Sequence, residues 1–166
     1  MVPAAELWQS IRREAEAVVR ADPALAQPLA KSILDHSDVA GALAFQIGQR
    51  LGAADDERAR FTRVANEAFA VAGELVEAAS LDLQCIVDHD PAVAALLPPL
   101  LNYKGFVALQ AWRVSNWLWL RGRSDFASMM QSASSERLQV SIHPSASIGV
   151  SVFLDHATGI IIGADS

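Results

Sequence analysis

The sequence predicts an α+β protein. Residues 1–138 form an all-helical N-terminal domain, and residues 139–166 form the first coil of a left-handed parallel β-helix. Two observations carry this reading. As far as about residue 138, apolar residues recur at the 3.6-residue period of a helix. Beyond it the spacing becomes six: Ile142, Ile148, Leu154 and Ile160 each open a hexapeptide. In a parallel β-helix each hexapeptide makes one side of a prism, with its apolar first residue facing the axis. At 166 residues, 52% hydrophobic and 19% charged, the chain is long and apolar enough to bury a sizeable core.

Taken in order, Leu7, Ile11, Ala15 and Val18 draw one amphipathic helical face, and Val39, Leu43, Ile47 and Leu51 draw another. Between them, Asp22 and Pro23 give a cap and a first helical residue, and Pro28 must kink or interrupt the helix that they start. Residues 55–88 suggest two helices with a weak point at Gly73. In "DHDPAVAALL", Asp90 is expected to cap a helix opened by Pro91. After "NYKG" a helix from Phe106 to Arg121 carries Trp112, Trp117 and Trp119, which are expected to anchor a core or a subunit contact. Gly122 and Ser124 punctuate, and "DFASMMQSASSERL" is the last helix. At Gln139 the period changes.

The net charge of −6, without a run of Lys or Arg, lacks the footprint of a nucleic-acid binder and suits an anionic membrane surface no better. The most apolar stretch, "AVAALLPPLL", falls short of the roughly 18 residues of a membrane span. The start, "MVPAAELWQSIRREAEA", places acids where a signal peptide needs apolar residues. A cytoplasmic protein is expected, with the lone Cys85 as a small buried hydrophobe and no internal disulfide.

The helical front, "DHDPAV", "KGFVALQAWRVSNWLW" and the hexapeptides "IHPSASIG" and "LDHATGIIIG", in this order, resemble bacterial serine acetyltransferases. The resemblance implies acetyl transfer from acetyl-CoA, a co-substrate and not a resident cofactor, to the hydroxyl of L-serine, giving O-acetylserine in cysteine biosynthesis. It implies His156 as catalytic base, Asp155 and Asp90 as carboxylates that bind the serine amino group, and no metal. A homo-oligomer is implied, a trimer or a dimer of trimers joined through the helical domain, with active sites between neighbouring β-helices. His36 and His143 carry no assigned role, and His89 is notable only for lying beside Asp90.

The sequence also departs from the family pattern. Ser141 stands where an Asp would pair with the catalytic histidine; a hydroxyl can bond an imidazole without neutralising the imidazolium. By analogy with catalytic triads the loss reaches about 10⁴ in turnover, so weak activity is expected. "IGVSVF" lacks the second glycine and the basic residue usual after "IG", and "GADS" replaces "GETA". With little more than one coil, the chain is read as truncated: later CoA-binding coils, a further histidine, and the tail that docks O-acetylserine sulfhydrylase are missing, so that docking is not expected. An open coil edge should fray from about Ile142 or associate.

The alternative is a catalytically deficient relative serving as an oligomerisation or regulatory module. A hexapeptide acyltransferase for sugars or drugs fits the long helical front poorly. A hexapeptide carbonic anhydrase needs three zinc-binding histidines at an interface, a pattern that four scattered histidines do not give.

Overall fold

The computed structural model of the chain describes residues 2–166. Helix α1, Ala4–Ala21, buries Leu7, Trp8, Ile11 and Ala15 along the expected face. Asp22 then accepts a hydrogen bond from the Ala24 amide (3.1 Å) and starts a 3₁₀ turn, Pro23–Leu25. The interruption expected at Pro28 is a change of pitch: α2, Ala26–Leu29, widens into a π-helical segment, Ala30–Leu34. Arg12 of α1 ties down its far end, donating to the carbonyls of Leu34 and His36 at 3.0 and 3.1 Å.

Helix α3, Val39–Leu51, is capped by Asp38, whose carboxylate accepts from the Gly41 amide at 2.9 Å. Its apolar face packs on α4, Asp55–Val71. Gly48 permits the contact, because a Cβ there would overlap Thr62 Oγ1 and the Arg58 carbonyl. The weak point expected at Gly73 lies at the join of α4 to α5, Gly73–His89, where Ala72 leaves the helical conformation.

One element differs from the sequence reading. Asp90 follows the end of α5, and no helix opens at Pro91. Instead the Asp90 carboxylate accepts from the Ala92 amide (2.9 Å) and its carbonyl from the Val93 amide (3.1 Å), closing a turn over Pro91. The next helix, α6, Leu97–Asn102, begins where a different carboxylate satisfies its first donors. Glu14 of α1 accepts from the amides of Leu96 and Leu97 at 3.2 and 2.7 Å.

Helix α7, Lys104–Trp119, is buried on every side, and α8, Ser124–Leu138, packs along it. Trp112 and Trp117 are core residues, and Trp119 packs against the core from the side. Gln139, in the left-handed conformation (φ 58°), ends α8 and turns the chain into β1, Val140–Ile142. A parallel partner, β2, Ile160–Ile162, completes the coil.

The register corrects the simple hexapeptide count. Three hexapeptides would set Ile160 opposite Ile142, whereas Ile142 lies opposite Ile162 and Val140 opposite Ile160. The coil is therefore longer than three regular sides by two residues. Its axis is apolar as expected: Val140, Ile142, Ala146 and Ala157 are buried, and Ile148, Leu154 and Ile160 pack against them. One apolar cluster runs unbroken from Leu7 of α1 to Ala157 of the coil.

Polar side chains of α5 and α7 hold the coil in place. Trp112 Nε1 donates to the His143 carbonyl (3.1 Å) and Asn116 Nδ2 to the Pro144 carbonyl (2.8 Å). Arg113 Nη2 reaches the Gly149 carbonyl at 2.8 Å. Beneath it Asp82, fully buried, accepts from Arg113 Nη2 (2.6 Å), Arg113 Nε (3.1 Å) and Gln110 Nε2 (3.0 Å) through Oδ2. Its Oδ1 accepts from the Val152 amide at 2.9 Å.

Removing one partner of a buried ion pair strands the other charge, at a cost of about 3–5 kcal/mol. Asp82→Ala should therefore lower the urea midpoint by an amount equivalent to about 3–5 kcal/mol. A loss below about 1 kcal/mol, the scale of an exposed pair, would contradict the structural role given to this pair.

Candidate active site

The third corner of the coil, Leu154–Gly159, has an unusual backbone. His156 and Ala157 stand at φ 52° and 63°, and Gly159 at 82°. For residues with a Cβ such conformations cost on the order of 1–3 kcal/mol each and persist only where the surroundings impose them. Here the Ala157 methyl is buried in the coil, the Ala157 amide donates back to the Asp155 carbonyl, and the Gly159 amide donates to the Gln139 carbonyl at 2.9 Å. The residues ahead of Ala157 are thrown outward. The side chains of Asp155 and His156 are 63% and 94% exposed, with His156 Nε2 at 3.6 Å from Asp155 Oδ1.

The start of α7 seats this corner. Gly105 lies against it so closely that a Cβ would overlap the Leu154 carbonyl oxygen and press on Ala157. Lys104 Nζ donates to Thr158 Oγ1. One residue earlier, the Tyr103 hydroxyl donates to Asp90 Oδ2 at 2.8 Å. That bond, together with desolvation and the negative charges of Asp90 and Asp155, holds the Tyr103 hydroxyl above the ordinary phenol pKa. Both carboxylates thus act on a single phenol. Asp90 bonds to Tyr103, and Asp155 and His156 lie on the corner that Lys104 and Gly105 touch.

Ser141 is elsewhere. It lies on β1, and its hydroxyl accepts from Gln131 Nε2 of α8 at 3.1 Å, so that no contact joins it to His156 within one chain. The other histidines have partners that explain them. His36 donates to the Lys31 carbonyl and His89 to the Cys85 carbonyl, while the His143 ring is engaged by Ser145. Cys85 is half-buried, not buried as the sequence suggested. Desolvation, then Asp82 and Asp88, push its thiol pKa up and away from reactivity.

Chemically, an imidazole can serve as a general base near neutral pH, and a carboxylate suits a small cation such as an ammonium group. Among the described residues no cluster of three metal-binding side chains occurs, and no helix is long and apolar enough to cross a membrane. Tyr103, Lys104 and Gly105 were missed by sequence reasoning. Their only signal was "NYKG", a glycine at a helix start, where a close backbone approach is one explanation.

Comparison with known proteins agrees with the resemblance. The family described as serine acetyltransferase, N-terminal, matches residues 7–111. A serine acetyltransferase of Salmonella typhimurium is 38% identical over 157 residues, which are 95% of this chain and 58% of that protein. The chain thus spans less than two thirds of that relative's length. The crystal structure of serine acetyltransferase from Vibrio cholerae superposes with a TM-score of 0.94 at 40% identity, covering 98% of this chain and 63% of the other. A serine acetyltransferase in complex with CoA gives a TM-score of 0.95 at 33% identity, covering 98% and 69%.

The seat beneath the corner gives a direct expectation. Gly105→Ala should destabilise the fold by about 1–3 kcal/mol through overpacking against backbone. It should also shift the amide resonances of residues 155–159. A variant as stable as the parent, with those resonances unmoved, would contradict the close contact.

Proposed function

The chain belongs to the serine acetyltransferase family, and from that membership we propose that it acts in the transfer of acetyl from acetyl-CoA to the hydroxyl of L-serine, giving O-acetylserine for cysteine biosynthesis. The observation that supports this reading is the left-handed corner, which presents Asp155 and His156 to solvent and is seated by Lys104 and Gly105, next in the chain to the Tyr103 that bonds Asp90. Further proposals are acetyl-CoA as acyl donor, a cytoplasmic location, and a homo-oligomer assembled through the helical domain.

In this reading Asp90 and Asp155 take the ammonium group of serine and aim its hydroxyl at His156. As the serine oxygen attacks the thioester carbonyl, the neutral imidazole takes its proton, and a tetrahedral intermediate forms. Collapse breaks the carbon–sulfur bond, and the imidazolium returns the proton to the departing thiolate. No acyl-enzyme is involved. Asp155 Oδ1 lies 3.6 Å from His156 Nε2, and Ser141 offers only a hydroxyl that Gln131 already engages. Weak turnover follows from that replacement.

A second reading, an oligomerisation or regulatory module without catalysis, is favoured by the same Ser141. The two part in one assay, L-serine-dependent release of the CoA thiol. The enzyme reading predicts release that falls by about 10²–10⁴ in His156→Asn, the usual contribution of a general base. It also predicts a gain in Ser141→Asp, through a contact with His156 made between neighbouring chains of the proposed homo-oligomer. Release that is absent from the parent and both variants would remove the enzyme reading for this chain and leave the module.

A further inference from the structure

The acyl-transfer steps make no use of Tyr103. We infer that Tyr103 is a positioning residue for the amino-acid subsite: its hydroxyl fixes the Asp90 carboxylate so that this group and Asp155 together receive the substrate's ammonium group. The inference rests on the serine acetyltransferase reading and assigns a residue which that reading leaves idle.

Asp90 lies beyond the end of α5, in a link with no regular structure, so its side chain needs outside bonds to hold one orientation. Both of its oxygens are held. Oδ1 accepts from the Ala92 amide at 2.9 Å and Oδ2 from the Tyr103 hydroxyl at 2.8 Å. A carboxylate offers about four acceptor positions, so the two remaining can still face an ammonium group.

The phenol matters because of where it sits. Tyr103 directly precedes Lys104 and Gly105, the two residues that touch Thr158, Leu154 and Ala157 of the corner. One short strip of backbone therefore contacts both Asp90 and the corner that carries Asp155 and His156. The charged groups acting on the Tyr103 hydroxyl are Asp90 from the α5 end and Asp155 from the corner, while the neighbouring Lys104 is turned to Thr158. With its pKa raised by these acids, the phenol stays protonated at neutral pH and remains a donor to Asp90. It is thus an orienting group and not a proton carrier.

Tyr103 is the chain's single tyrosine, so tyrosinate absorbance in an alkaline titration reports it alone. The experiment combines that titration, on the parent chain and Asp90→Asn, with calorimetry of L-serine binding at neutral pH to the parent and Tyr103→Phe. Circular dichroism checks that each variant is folded. The midpoint should lie above that of a free tyrosine amide in the parent and fall back in Asp90→Asn, and Tyr103→Phe should weaken L-serine binding about tenfold, the scale of one lost hydrogen bond to a charged group. A midpoint identical in the two proteins would overturn the inference, as would equal L-serine affinity of the parent and Tyr103→Phe. If the titration shows the link while the parent binds no L-serine, the serine reading itself fails and the ammonium assignment falls with it.

Discussion

A buried charge, Asp82, connects the helical part of this protein to its coil. Its carboxylate is removed from water and surrounded by donors: two from Arg113, one from Gln110, and the amide of Val152. Arg113 in turn reaches the carbonyl of Gly149. An uncompensated carboxylate in such a place would cost several kcal/mol, so helix α5, helix α7 and the coil segment 149–152 must come together for any of them to be satisfied. Trp112 and Asn116 extend the same logic along α7 by taking the carbonyls of His143 and Pro144. Helix α7 thus carries the first coil on a row of side-chain donors, in place of a neighbouring strand, and this attachment opposes the fraying expected of an open edge from about Ile142.

The strained corner depends on that attachment. With the second side of the coil held by Asp82 and Arg113, and Gly105 admitting the Leu154 carbonyl, the backbone at His156 and Ala157 is held in a conformation that neither residue favours alone. The coil, two residues longer than three regular sides, rejoins β1 through β2. Burial of Ala157 and exposure of His156 are two sides of the same geometry. A flat hexapeptide side would leave no such projection, and the proposed chemistry needs the imidazole to stand clear of the coil.

Much of this was legible in the sequence because it is written in local periodicity. The faces of α1 and α3, the break before Gly73, the switch at Gln139 and the inward Ile142 all follow from spacing. The parts that were not legible depend on residues far apart in the chain. Nothing near Leu97 announces that Glu14 will cap it, and the local signal at Asp90–Pro91 pointed to a helix that does not form. Asp82 and Arg113 read as ordinary helical charges until the fold buries them together. The coil register differs by two residues from a count of six. Of the site, His156, Asp155 and Asp90 came from motif resemblance, the first two adjacent on the corner and the third bonded to Tyr103, while Tyr103 emerged only from the contact it makes.

The most direct test of this account is the hydrogen exchange rate of the Val152 amide in the intact chain. That donor lies outside any strand, and its partner is Asp82 Oδ1. If the buried pair holds the coil, Val152 should exchange as slowly as the buried amides of α7, through opening of the whole structure. Exchange at the rate of an unprotected loop amide, with α7 still protected, would mean that the coil is not held by the helices and would contradict the account.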